Sequence, residues 1–269
     1  MTKLKGKVIW ITGASSGIGE ALTYELATRG NKLILSARRK TELERVKGNC
    51  PAAAQPDIRI LPLDLSEPNT LQLSVEAAIQ LFGHVDVLIN NGGISQRSLA
   101  KETTLDVDRM LMEVDYFGTI ALTKHLMPHF IQRKSGHYVV ITSVTGKVGT
   151  PFRTGYSAAK HALHGFFDAL RAELWKESPD IKVTLIGPGY VRTNVSINAL
   201  KGDGTPNATM DTTTANGIKP EVLAKKIAHA IEANRNEMFI AGGRERLALL
   251  LQRYFPGLLA RIIRKAVVR

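Results

Sequence analysis

The chain has 269 residues, enough for one α/β domain with a large core. With 44% apolar and 22% charged residues it is neither disordered nor collagen-like, and a lone cysteine, Cys50, rules out an intrachain disulfide framework. The net charge of +12 is high for a globular domain.

Met1-Thr2-Lys3-Leu4 leads almost directly into the first apolar run, with no room for a signal peptide or an N-terminal anchor. No stretch of about 18 uninterrupted apolar residues follows. A cytoplasmic protein in a reducing compartment is therefore expected. The run Lys7 to Thr12 predicts a short buried strand. It passes into Gly13-Ala14-Ser15-Ser16-Gly17-Ile18-Gly19, then into a helical pattern through Leu22, Leu26 and Ala27. A glycine-rich turn between strand and helix lets a pyrophosphate approach the backbone, and the helix N-terminus adds free N–H groups and a favourable dipole. The spacing is G-x-x-x-G-x-G, and by itself such a turn can carry glycines for their backbone freedom only.

Further strand-like runs follow at 32–36, 58–61, 85–89, 138–142, 182–186 and 238–240, with helical patterns between them. That alternation predicts a parallel sheet of about seven strands covered by helices on both faces. The stretch from Gly189 to Pro220, rich in Gly, Thr and Asn, breaks the alternation. Loops this long bind or close over something, so about 190–220 is the candidate substrate lid. Val191, Val195, Ile197 and Leu200 beside it favour a hydrophobic substrate.

The chemistry-bearing pattern is Tyr156-Ser157-Ala158-Ala159-Lys160, with Ser143 thirteen residues upstream of Tyr156. Residues four apart on a helix share a face. A phenol beside a fixed ammonium is a proton donor suited to near-neutral pH, and a hydroxyl such as Ser143 can hold a carbonyl oxygen while the phenol protonates it. This spacing reads as an oxidoreductase.

Five segments in this order resemble the short-chain dehydrogenase/reductase family, over about 7–239: Thr12-Gly13 to Gly19, Asn90-Asn91-Gly92-Gly93, Ser143, Tyr156 with Lys160, and Pro188-Gly189-x-Val191-x-Thr193. The stretches 116–174 and 210–214 are similar to its DHRS seven-B-like branch. The resemblance implies a Rossmann-like doubly wound sheet, with 1–243 as one domain and 244–269 as an extension. It implies Ser143, Tyr156 and Lys160 as catalytic residues. A nicotinamide cofactor would be held by Gly13, Ser15, Ser16, Gly17, Ile18, Gly19, Asp64, Leu65, Asn91, Gly92, Tyr156, Lys160, Pro188, Gly189, Val191 and Thr193, with Asp64 touching adenine. A homodimer or homotetramer is implied as well.

Two positions depart from the family pattern. Gly92 stands where the family usually has Ala, which leaves extra room under the cofactor. Asp115 stands where it usually has Asn, a residue whose main-chain carbonyl there holds a water linked to the lysine and whose side chain helps keep a helix kink. The added charge could act on Tyr156 or stabilise charged Lys160, so Asp115 is a fourth site candidate; as an ordinary residue it would cap a helix turn. Cofactor choice is read at Leu35-Ser36-Ala37-Arg38-Arg39-Lys40. An NAD enzyme usually places an acid at the end of the second strand to hold the ribose 2′-OH. Here three cations follow and no acid does. An arginine fork suits a 2′-phosphate, so NADP(H) is expected, with Arg38 as first contact and Arg39 as helper.

Part of the positive charge sits at 244–269, where seven basic residues (Arg244, Arg246, Arg253, Arg261, Arg264, Lys265 and Arg269) face one acid, Glu245. Leucines and isoleucines alternate with them, and Pro256-Gly257 predicts two helical pieces. Such a tail can complete the core, cover a substrate pocket, pack on another subunit or lie on an anionic membrane. Nucleic acid is not expected, because no stacking aromatics are interleaved with the charge. His125 and His129, four apart, have no third metal ligand nearby in sequence, so no metal site is expected. His161 and His164 flank Lys160, but the tyrosine already fills the acid/base role. Phe166, Phe167, Leu170 and Leu174 read as core and subunit contact. The rivals to an enzyme are a cofactor-binding scaffold or sensor without turnover and a protein whose main task is membrane attachment.

Overall fold

The computed structural model describes residues 4–264. Seven strands form one all-parallel sheet: β1 (Val8–Thr12), β2 (Lys32–Ser36), β3 (Ile58–Ile60), β4 (Val87–Asn90), β5 (Gly136–Ile141), β6 (Ile181–Pro188) and β7 (Glu237–Ile240). Their order across the sheet is β3-β2-β1-β4-β5-β6-β7. The helices are α1 (Gly17–Ala27), α2 (Lys40–Gly48), α3 (Pro68–Phe82), α4 (Leu105–Met112), α5 (Gly118–Arg133), α6 (Thr154–Glu177), α7 (Thr212–Ala215), α8 (Pro220–Glu232), α9 (Gly243–Tyr254) and α10 (Pro256–Ile263). No helix among the described residues is long and apolar enough to cross a membrane.

The inner strands β1, β4, β5 and β6 are buried almost throughout because both faces of the sheet are covered there, whereas the edge strands β3 and β7 are partly exposed. Alternate residues serve opposite faces. Ile9 and Ile11 pack with Leu22, Leu26 and the α8 residues Leu223 and Ile227, whereas Val8 and Trp10 pack with Leu71, Leu126, Phe130 and Phe167. Trp10, wholly buried, keeps its indole N–H satisfied by donating to Ser36 Oγ at 2.8 Å. The Phe167, Leu170 and Leu174 stripe of α6 is buried in the second core.

Several element boundaries differ from the sequence reading: β3 ends at Ile60 rather than 61, β5 runs Gly136–Ile141 rather than 138–142, and β7 starts at Glu237 rather than 238. The fourth strand starts at Val87, because the Val85 N–H is turned to His129 Nε2 at 3.3 Å and the Asp86 carboxylate accepts from Val8 N at 2.9 Å. The sixth runs on to Pro188, and Pro188 pairs with Ile240. The tail breaks at Phe255, which has an extended backbone; Pro256 opens the second helix, where its missing N–H costs nothing, and Gly257 lies inside it.

Chain order reverses direction across the sheet between β1 and β4. In open parallel sheets the crevice beyond the carboxyl ends of the strands at such a reversal is where ligands bind. Gly13, Asn91 and Gly92 lie there, at the ends of β1 and β4.

Candidate active site

The turn after β1 can be made only by glycines at three positions. Gly13 and Gly17 have φ of +64° and +57°, in the left-handed region. A Cβ on Gly13 would lie 2.8 Å from Gly92 Cα, and one on Gly19 would run into the Gly13 carbonyl. The backbone is thereby left bare at the start of α1, the cradle a dinucleotide pyrophosphate requires. Ser16 is the exposed residue that opens the helix, Ser15 presents its carbonyl to Arg45, and Ile18 packs partly into the core.

The β4 end is clipped to this turn. Thr12 Oγ1 accepts from Asn91 N at 3.0 Å and Gly92 N at 2.9 Å, and the Asn91 amide donates to the Thr12 and Gly13 carbonyls. A Cβ on Gly92 would sit 2.7 Å from Leu65 Cδ1, the tip of a flexible side chain that can turn aside, so an alanine here needs only a small shift. Asp64, one residue earlier, accepts from Ser66 N and Ser66 Oγ and so shapes the turn after β3.

Beyond β6, Gly189 N donates to Ile240 O, and Val191 lies against Ile218. A Cβ on Gly17 would lie 3.0 Å from Thr193 Cγ2, so the start of the 189–220 segment seats directly on the glycine turn. Together they border a cleft of about 560 Å³, lined by Ser16, Gly17, Arg39, Arg192, Thr193 and Asn194. Arg39 reaches this cleft as the residue preceding α2; Arg38 is exposed and does not line it.

α6 presents Tyr156 and Lys160 one turn apart, and Lys160 Nζ lies 5.6 Å from the Tyr156 ring centroid. Ser143 caps a single 3-10 turn at 144–146, which packs along α6, and its Oγ accepts from Thr145 N at 3.1 Å. The first turn of α6 is held by a residue that no motif or periodicity marks. Gln96, completely buried, accepts from Gly155 N at 2.9 Å and Tyr156 N at 3.3 Å, while its amide donates to Ser98 and Thr103 hydroxyls.

Asp115 lies in a turn of π-helix, Glu113–Phe117, joining α4 to α5. Such turns open the backbone hydrogen-bond ladder locally. The carboxylate does more than cap a turn. Wholly buried, it accepts from Ile94 N through Oδ1 at 2.7 Å and places Oδ2 3.2 Å from Lys160 Nζ. A Cβ on Gly93 would come within 3.0 Å of Asp115 Oδ1 and 3.3 Å of Lys160 Nζ, so that glycine makes room for the pair. Burial opposes the charge on Lys160, but Asp115 and then Tyr156 outweigh it and hold the ammonium above the ordinary lysine range. Burial likewise pushes the Asp115 carboxyl up, against the pull of Lys160 and the Ile94 N–H. Asp115→Asn removes a charge that raises Lys160, so Lys160 gives up its proton at lower pH. The alkaline fall in kcat/KM is then expected to move toward neutrality. An alkaline limb left in place by the substitution would detach Asp115 from the lysine's titration.

A second buried charge cluster stands beside α6. Arg97 reaches Asp211 at 2.7 Å and Arg153 reaches the same carboxylate oxygen at 3.4 Å. All three side chains are at least nine-tenths buried. Burial and the neighbouring Arg97 lower Arg153, with Tyr190, Asp211 and Tyr156 opposing them; its guanidinium lies 5.8 Å over the Tyr190 ring. Asp211 is at the far end of the 189–220 segment, which also bonds to the loop after β4 through Arg97 N to Leu200 O and Leu200 N to Ser95 O. The expected lid is thus irregular but pinned, with one four-residue helix, α7.

His129 accepts from Val85 N and the His161 ring bonds Ser157 O, both structural uses. Among the described residues no cluster of three His, Cys, Asp or Glu is placed to hold a metal.

A bare glycine turn at the reversal of a doubly wound sheet, facing a tyrosine–lysine turn, is the arrangement of one class of oxidoreductase. A family model described as short chain dehydrogenase matches residues 7–203, and the chain belongs to the short-chain dehydrogenase/reductase family. A dehydrogenase/reductase SDR family protein 7-like from Anopheles gambiae is 45% identical over 97% of this chain and 83% of its own length. Dehydrogenase/reductase SDR family member 7B from Bos taurus is 40% identical over 97% of this chain and 81% of its own. The branch suggested by 116–174 and 210–214 is therefore the right one. Among solved structures, a 3-ketoacyl-(acyl-carrier-protein) reductase from Brucella melitensis complexed with NADH is 26% identical, with a TM-score of 0.77 over 90% of this chain and all of that one. An alcohol dehydrogenase from Thermococcus sibiricus complexed with 5-hydroxy-NADP is 25% identical, with a TM-score of 0.73 over 87% and 95%.

Proposed function

We propose that the protein is an NADP(H)-dependent oxidoreductase that interconverts a hydrophobic carbonyl compound and its alcohol. The observation that carries this reading is Tyr156 and Lys160 sharing one turn of α6, with the ammonium fixed beside the phenol. The glycine turn at 13–19, Asn91, Gly92 and the 188–193 segment would hold the cofactor, which when bound supplies or accepts a hydride at the carbonyl carbon. Ser143 holds the carbonyl oxygen and Tyr156 gives that oxygen its proton. Lys160, kept charged by Asp115, fixes the phenol and holds ribose hydroxyls. The main chain at Asp115, in the opened π turn, is where a water can relay the replacement proton.

The two solved relatives hold different nicotinamide cofactors, so the choice of NADP(H) rests on this chain's own residues. The end of β2 carries Arg38, Arg39 and Lys40 and no acid. Arg38→Asp is expected to invert the NADPH/NADH preference by at least about tenfold, roughly the weight of one charge-assisted bond. An unchanged ratio, set beside a shifted one for Arg39→Asp, would transfer the 2′-phosphate contact to Arg39, the arginine that lines the cleft. A homodimer or homotetramer is part of the proposal; Leu105, Met110 and Phe117, along α4 and the turn after it, are exposed apolar residues that fit a subunit contact.

NADPH oxidation against carbonyls from small diketones to long-chain ketones and aldehydes tests the reading. Turnover that rises with apolar chain length supports it. Tight NADPH binding with no turnover across the panel would favour a cofactor-binding scaffold or sensor.

A further inference from the structure

We propose that α9 and α10 form a docking surface for an anionic lipid bilayer. On α9, Leu247, Leu250 and Tyr254 fall three and four residues apart and so share one stripe. Phe255 continues it, and Leu258 and Ile262 form the matching stripe of α10. These six side chains are between 49% and 63% exposed, whereas Leu259, on the other side of α10, is 2% exposed and anchors the helix. The apolar stripes are therefore left over after the tail has packed.

The charges around them have one sign. Arg244, Arg246, Arg253, Arg261 and Arg264 are all exposed, and Arg253 lies 5.6 Å over the Tyr254 ring. Helical spacing puts Arg246 and Arg253 along the border of the Leu247–Leu250–Tyr254 stripe. Glu245, the one acid of the segment, is turned inward: its Oε1 accepts from Tyr190 N at 3.3 Å, next to Gly189. Lys265 and Arg269 lie outside the described residues.

An apolar stripe bordered by exposed arginines matches the interface of a bilayer, where acyl chains take the leucines and anionic headgroups take the guanidinium groups. A second copy of the same face would set arginines against arginines, which opposes self-association there. Nucleic acid would meet exposed leucine between the charges. The surface also has a defined relation to the cleft. Glu245 fastens the start of α9 to Tyr190, and Tyr190 lies beneath Arg153, the residue preceding the Tyr156 helix. A docked tail would hold the substrate side of the enzyme against the lipid. That last step rests on the proposed hydrophobic-carbonyl activity; the docking itself does not.

The test uses the full chain and a readout that needs no turnover: co-sedimentation with phosphatidylcholine vesicles and with vesicles containing added phosphatidylserine. Binding to the second at least about tenfold above the first, and lost at high salt, is expected. Two surface variants separate the components. Leu250→Ser with Leu258→Ser and Ile262→Ser should lose binding through the apolar stripe, and Arg246→Gln with Arg253→Gln and Arg261→Gln should lose preference for phosphatidylserine. NADPH binding should stay unchanged in both. Wild type that remains in the supernatant with either vesicle, or that binds as well after both sets of substitutions, would overturn the proposal. So would light scattering showing a dimer that the three leucine and isoleucine changes dissociate, since the face would then belong to a second copy.

Discussion

Tyr156→Phe is expected to lower turnover by about 10²- to 10⁴-fold, the usual contribution of a positioned proton donor, and to leave NADPH affinity within about twofold. The substitution removes only the hydroxyl. Gln96 holds the Tyr156 main chain, not its side chain, so the first turn of α6 keeps its place. The ring over which Lys160 lies is kept, and the 3.2 Å Asp115–Lys160 pair does not use the Tyr156 hydroxyl. Steady-state kcat on the best carbonyl of the panel, with NADPH binding by calorimetry, gives both numbers. Activity within a few-fold of wild type would remove Tyr156 from the chemistry and leave the fold without a proton donor at this position.

Asp211→Ala is expected to destabilise the protein by about 3 to 5 kcal/mol, because it leaves two buried arginines without their shared carboxylate. Arg97 and Arg153 converge on one Asp211 oxygen, and all three side chains are almost wholly enclosed. For a chain of this size the loss corresponds to a fall in Tm on the order of 10 °C. Surface pairs such as Arg109–Asp106, 74% and 89% exposed, supply the internal comparison, since breaking them should move Tm by a degree or less. If Asp211→Ala melted together with Arg109→Ala, the cluster would not be what pins the 189–220 segment.

The parts of this molecule that could be read from sequence are those whose spacing is local. The run into Gly13–Gly19 shows a strand, a turn and a helix in succession, and the four-residue step from Tyr156 to Lys160 fixes a common face. What was not legible depends on residues far apart in the chain. Arg97 and Asp211 are 114 positions apart, Gln96 and Tyr156 are 60 apart, and neither pair leaves a periodicity to detect. The Arg97-Ser98 stretch looks like ordinary loop sequence, and 210–214 marked the family branch without marking Asp211 as an ion-pair partner. Asp115 is intermediate. Its departure from asparagine marked it as a site residue, but that its carboxylate faces Lys160 while the backbone around it forms a π turn needed the structure. Arg38 and Arg39 show the same limit at shorter range: the sequence ranked Arg38 first, but the course of the chain into α2 puts Arg39 at the border of the cleft.

The strand order β3-β2-β1-β4-β5-β6-β7 has a consequence for how the protein is made. Taken in the order of synthesis, β2 has its place on one side of β1 and β3 on the free side of β2. β4 has its place on the other side of β1, and β5, β6 and β7 each on the free side of the strand before them. Every strand is added at an open edge, and none has to be forced between two already paired. Synthesis from the N-terminus can therefore assemble the sheet without undoing earlier pairings. The crossover from β3 to β4, which leaves the crevice between β1 and β4, is also the point in the chain where the order switches from one side of β1 to the other.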